Sequence, residues 1–193
     1  MQIDNMLNEI CKASTMQAAT ALSKFLQVPI GLQIEPVESK QISEMSLLAD
    51  DAEVNVSLYL PINGDLTGGS YFLYSQNAAL SICDVLFHRL EGTTQSFSES
   101  EISALSEVAN IVIGNFLTSF AHSLQLGTLL HQRATFSEGL VTNEILQFLN
   151  KLREKKLIVK ISFGVRHVNN SGHVIILFEE DKIDLILKKF TAS

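Results

Sequence analysis

The chain has 193 residues, with 14 Lys and Arg against 21 Asp and Glu and 46% hydrophobic residues, a balance that leaves a net charge of −7. The acidic excess argues against nucleic acid as the main partner, and the apolar content is that of a folded chain with material for one domain's core. The longest unbroken apolar runs, such as Val174 to Phe178, are far too short to span a bilayer, and Met1 to Asn5 hold no basic region or apolar signal core, so a cytoplasmic protein without membrane insertion is expected.

A long helix is expected over about Ile3 to Gln27, with Ile3, Leu7, Ile10, Ala18, Ala21, Leu22 and Phe25 on its apolar, core-facing stripe. A strand follows near Val28 to Val37, entered through Pro29, and Ser39 to Asp51 reads as irregular. Two strands, about Glu53 to Pro61 and Leu66 to Tyr74, are joined through Asn63-Gly64, a strong hairpin-turn dipeptide. A short helix spans about Gln76 to His88, and Gly92-Thr93-Thr94-Gln95 is a brief linker-like stretch. Ser98 and Glu101 then form a capping-box pattern, with Phe97 and Ile102 as a hydrophobic staple, so a helix runs from Ser98 to Leu124. A strand near Thr128 to Phe136, a helix near Thr142 to Lys155, and strands Leu157 to Val168 and His173 to Phe178 around Asn169-Asn170-Ser171-Gly172 follow. Asp181 to Phe190 makes a closing helix. Cys11 and Cys83 sit in apolar helical patterns without ligand spacing and read as reduced, buried thiols.

This order is one pattern written twice, helix–strand–hairpin–helix, over about residues 1–90 and 96–193. The expected fold is therefore α+β: a single domain of two pseudo-symmetric repeats whose hairpins merge into one mostly antiparallel sheet, with the two long helices packed on a face. A shift of 98 residues lays Glu9 on Glu107, Lys12 on Asn110, Asn5 on Ser103 and Met16 on Gly114.

The chemistry concentrates on the second long helix. Ser103, Glu107, Asn110 and Gly114 step by four, three and four residues and share one face, while Leu105, Val108, Ala109, Val112, Phe116 and Phe120 form the opposite, apolar stripe. The polar face offers a carboxylate and an amide one turn apart, with a glycine leaving bare backbone beside them. An interior glycine costs about 1 kcal/mol relative to Ala, which points to a packing or contact reason for it.

With this duplication, the stretch Ser103-Ala104-Leu105-Ser106-Glu107-Val108-Ala109-Asn110 resembles the motif of the CheC/CheX/FliY family of chemotaxis phosphatases, an acidic residue or Ser, three residues, Glu, two residues, then Asn. Ile111-Val112-Ile113-Gly114-Asn115 is similar to the family's continuation, and Glu9-Ile10 with Ala18 to Ser23 to its first repeat. The resemblance implies a phosphatase for the phospho-aspartate of a CheY-type receiver domain. Asn110 would orient the attacking water and Glu107 would pair with the receiver's lysine, with Ser103 and Gly114 in the docking surface. It implies no cofactor of the chain's own, the Mg²⁺ being the receiver's. Lys12 stands where the first repeat would have its Asn, and Met16 where it would have the glycine, so Glu9 and Lys12 mark a degenerate first site. Ala134 stands where the first copy has Pro36, and Ala109 where a glycine commonly precedes the Asn.

The rival reading is a binding module that keeps the fold without the chemistry and engages a receiver, a CheD-type deamidase or the flagellar switch. A structural role through homo-oligomerisation, by edge-strand pairing or helix packing and as a homodimer in its simplest form, is a third. Glu9 and Lys12 read as a surface i,i+3 ion pair. Thr67-Gly68-Gly69-Ser70 lacks phosphate-loop spacing, and the five histidines form no ligand set.

Overall fold

The computed structural model describes residues 2–27, 30–34, 38–40, 54–139, 156–165 and 172–179. Helix α1 (Gln2–Leu26) leads into strands β1 (Ile30–Ile34), β2 (Glu38–Lys40), β3 (Val54–Gly64) and β4 (Gly68–Ser75), then helix α2 (Gln76–Leu86). Helix α3 (Glu99–Ser123) is followed by short strands β5 (Leu129–His131) and β6 (Thr135–Glu138), and then by β7 (Lys156–Val165) and β8 (Gly172–Glu179). The helices expected at Thr142 to Lys155 and Asp181 to Phe190, the turn residues Asn169 to Ser171, and Pro36 lie outside the described residues.

The fold is α+β, and every described ladder is antiparallel. Strand order in the sheet is β1–β7–β8–β4–β3–β5, with β2 also on β7 and β6 also on β3. Exchanging β1 and β2 for β5 and β6, β3 for β7, and β4 for β8 leaves that order unchanged. Each hairpin thus has its outer neighbour supplied by the other half of the chain.

Alternation along the strands builds the core. Leu58, Leu60 and Ile62 of β3, Phe72 of β4, and Ile176 and Phe178 of β8 face α1 and α3 in one cluster. Phe120 of α3 stacks on Phe178 at 5.2 Å between ring centres. Leu73, Ile175 and Leu177, which alternate with these residues, are buried as well, so the sheet's centre is covered on both faces. By length and mean hydropathy of 1.3, α3 passes as a bilayer-crossing segment, but its apolar stripe is spent on this core.

Four expectations need correction. The strand expected from Thr128 to Phe136 is broken at residues 132–134, because β5 and β6 pair with separate stretches of β3. Ser39 and Lys40, read as irregular, belong to β2, where pairing with Leu157 and Lys156 overrides weak local preference. The first hairpin exists, but Asn63-Gly64 is not its two-residue turn: Ile62 pairs with Gly68, and Asn63 and Gly64 continue β3 against Leu130 and Leu129. Gly64, at φ +127°, is needed there, since a Cβ would stand 2.1 Å from the Thr128 carbonyl oxygen. Finally, α1 is rotated from its expected stripe. Leu7, Cys11, Ser14, Thr15, Ala18, Leu22 and Leu26 are buried, whereas Phe25 is 51% exposed. Small polar side chains serve this face because the two long helices approach closely there, Ser14 Oγ donating to Ser119 Oγ at 3.3 Å.

Cys11 and Cys83 are fully buried and free. Burial pushes both thiols up to about 12, with the Glu101 and Asp84 carboxylates adding to the effect at Cys83. Neither thiol should react with a disulfide reagent at pH 7.5 in the folded protein, and both should titrate within minutes in denaturant. A spectrophotometric thiol count with and without guanidinium checks this.

Candidate functional site

The site is built on α3, and the start of that helix is unusually well tied. Ser98 caps it by accepting from Ser100 N, and Glu101 accepts from the Ser98 backbone N–H and hydroxyl, which completes the capping box expected from the sequence. Phe97 packs on Phe136 at 5.4 Å between ring centres. Glu101 is also bound by Arg89, Nη1 to Oε1 at 2.8 Å, and the Arg89 guanidinium lies 4.4 Å over the Phe87 ring. Hydrogen bonds from Ser98 and Arg89 hold the Glu101 carboxyl down at about 2.

Of Gly92 to Gln95, which the composition marks as a linker, the first three residues are in fact wrapped on one buried carboxylate. Asp84 Oδ2 accepts from Gly92 N at 2.8 Å and Thr93 N at 3.2 Å; Oδ1 accepts from Thr94 N at 2.8 Å and the Thr94 hydroxyl at 2.6 Å. Burial raises the Asp84 carboxyl, but these donors outweigh it and hold the group below its ordinary value. The end of α2 and the start of α3 are thereby fixed to each other, and with them the direction in which the polar stripe points.

On that stripe Ser103 and Glu107 are exposed, Asn110 and Gly114 are half-buried, and the opposite stripe is buried throughout. Asn110 Nδ2 faces Glu107 Oε2 at 3.5 Å, the outer limit of a hydrogen bond. Its Oδ1 is buried and meets no partner. An unpartnered amide oxygen costs about 1–3 kcal/mol and calls for a reason. In this conformation the amide presents its donor toward the carboxylate and turns its acceptor inward.

Two features of the site were not legible in the sequence. Gly114 is not bare: His131 of β5 lies over it, Nε2 standing 3.4 Å from where a Cβ would be. The other ring nitrogen, Nδ1, is 3.1 Å from the Gln132 carbonyl oxygen, so an Nδ1–H tautomer donates there and leaves Nε2 as an acceptor beside the stripe. The interior glycine signalled that something sits there; a three-residue strand carries too little periodicity to say what. The second feature is an open groove of about 680 Å³ that begins at Ser103 and Glu107 and runs between the ends of α1 and α2, past Phe25, Leu26 and Phe87.

At the first copy, Glu9, Lys12 and Met16 are all exposed on α1. The ion pair expected between Glu9 and Lys12 is not formed; among the described residues nothing joins the two, as a solvated pair gains too little to hold two long side chains in place. Of the histidines outside the helices, His173 stands opposite Ser162 in the ladder, and His167 lies outside the described residues.

The CheC-like family's sequence profile matches residues 101–127, the stretch that carries Ser103, Glu107, Asn110 and Gly114. The CheY-P phosphatase CheC of Bacillus subtilis (strain 168) is 25% identical over 196 residues, covering 98% of this chain and 94% of that protein. Among solved structures, Thermotoga maritima FliY has a TM-score of 0.71 at 16% identity, over 99% of this chain and 96% of its own. A chain of the CheX–CheY–BeF3–Mg²⁺ complex of Borrelia burgdorferi has a TM-score of 0.53 at 17% identity, over 86% and 95%. The profile on the motif-bearing helix, the relative matched along the whole chain and the shared fold together make this chain similar to the CheC-like proteins.

Proposed function

We propose that the chain is a cytoplasmic phosphatase for the phospho-aspartate of a CheY-type receiver domain. The observation that carries this reading is the Glu107–Asn110 pair, solvent-accessible on a rigid helix in the segment that matches the CheC-like profile. The likeness along the whole chain to a protein named CheY-P phosphatase supports it.

The chemistry asks little covalent help of the protein. A water oxygen attacks phosphorus in line, the bond from phosphorus to the aspartyl oxygen breaks, the carboxylate leaves with the electron pair, and the water's proton passes to solvent or phosphate. What speeds this is a held nucleophile and balanced charge. Glu107 meets the receiver's active-site lysine and sets the register, and the Mg²⁺ that balances phosphate charge belongs to the receiver. Engaging Glu107 with an ammonium also removes the acceptor that faces Asn110 Nδ2. The amide then turns about χ2, bringing Oδ1 outward to accept from the attacking water and relieving the oxygen of its unpartnered burial. Docking and assembly of the site are thus one event. Ser103, Gly114 and the His131 ring over it complete the contact surface.

Under the same proposal the chain is one domain from an internal duplication, a reading that the exchange symmetry of the strand order supports. Glu9 and Lys12 are its degenerate first site, since an ammonium cannot accept a hydrogen bond from water. The alternative is a non-catalytic module that holds a receiver, a CheD-type deamidase or the flagellar switch. The inward-facing Asn110 Oδ1 and the fold shared with FliY favour keeping it in view.

The test is the decay of phosphate on a CheY-type receiver from the same cell. The wild-type chain is expected to accelerate it, and Glu107→Gln to raise KM about tenfold by losing the ion pair. No acceleration with several receivers, from a chain shown to be folded, would leave the binding module as the better reading.

A further inference from the structure

A stripe of four side chains cannot by itself supply a specific interface, which takes roughly 800 Å² from each partner. Whatever sits on Glu107 and Asn110 must extend over neighbouring surface, and on one side that surface is the groove of about 680 Å³. Glu107 is itself a wall of it, so a partner engaging this carboxylate covers the groove's mouth. The groove's lining is mixed, polar at Ser103 and Glu107 and apolar at Leu26 and Phe87, and Phe25 stands 51% exposed at one wall, although a helix of this kind ordinarily turns such a ring inward. Among the described residues the lining includes Glu99 and Glu107 and no lysine or arginine. Arg89, the nearest guanidinium in sequence, is spent on Glu101 and Thr94. Among the described residues His88 is the one basic side chain in the lining.

We infer that this groove is the second half of the receiver-docking surface, taking an apolar segment of that domain flanked by Lys or Arg; the inference rests on the receiver reading given above. The aromatic wall supplies buried contact area, and the two carboxylates select a basic flank and reject an acidic one. Catalysis and affinity are then separable: the water-holding amide lies on the stripe, and most of the grip lies beside it.

The experiment measures binding of a CheY-type receiver loaded with beryllofluoride and Mg²⁺ by calorimetry, in parallel with phosphate decay. Phe25→Ser is expected to raise Kd tenfold or more and to place its kinetic loss in KM, whereas Met16→Ser, a change at a more exposed apolar residue on α1 outside the groove, should leave Kd as in wild type. Glu99→Lys, an exposed position, should weaken binding in the same direction and serves if Phe25→Ser does not fold. Wild-type Kd in both groove variants overturns the inference, as does a groove variant that only converts a dimer of this chain to monomer. Phosphate decay that the wild-type chain does not accelerate sinks the phosphatase reading while the Phe25 binding result still decides the groove; a wild-type chain that binds no receiver sinks both.

Discussion

Replacing Asn110 with Ala is expected to lower kcat for phospho-receiver hydrolysis by at least about 100-fold, roughly 2.7 kcal/mol of transition-state stabilisation, with little change in the Kd for the receiver. In the proposed mechanism docking rests on Glu107 and the surface around it, whereas the amide acts only on the water. The same substitution should not harm the fold. Asn110 Oδ1 is buried without a partner, so its removal relieves a cost, and Ala is the better helix former by about 0.6 kcal/mol. A variant as stable as wild type or more so, yet nearly inactive, would mark Asn110 as a residue kept for chemistry at the expense of stability. Thermal unfolding and phosphate decay on the same sample check both halves; a variant that decays phosphate at the wild-type rate removes Asn110 from the mechanism.

Asp84→Ala should be the most damaging single change to the fold. It strands the Gly92, Thr93 and Thr94 N–H groups around the vacated carboxylate, at a cost of about 3 kcal/mol, or about 6–12 °C in Tm. Activity should fall as well, because the knot sets the start of α3. The carboxylates of Asp84 and Glu101 are both held below their ordinary values of 3.8 and 4.5, Glu101 at about 2. Their contribution is present above the unfolded values and is lost as pH falls through the folded ones. Stability should therefore stay level with respect to these groups above about pH 5 and decline from there toward pH 2. Urea midpoints across that range test the sign, and Asp84→Asn should flatten part of the decline.

The polar stripe and the capping box were legible in the sequence because both are local: helical spacing and a four-residue boundary signal suffice. The core stripe of α3 followed for the same reason. Phe25 escaped because hydrophobicity says that a ring prefers burial, not which partner buries it. His131 escaped because its place over Gly114 is set by β5 pairing with the far end of β3, more than sixty residues earlier in the chain. The Asp84 knot escaped because Gly, Thr and Thr in a row signal a loop, while its donors converge on a carboxylate in the preceding helix.

The way the strands are shared has one more consequence. Ile30 pairs with Val165 and Val56 with Glu138, so each end of the sheet is closed by chain from the opposite end of the sequence. Neither half can be excised as a free-standing piece, since each would expose an unpaired hairpin edge ready to aggregate. Cutting the chain near Glu91 should give two fragments that become soluble only when co-expressed. On the proposed duplication, the half that carries Lys12 serves as scaffolding: it holds up the strands and helix on which the other half's Asn110 depends.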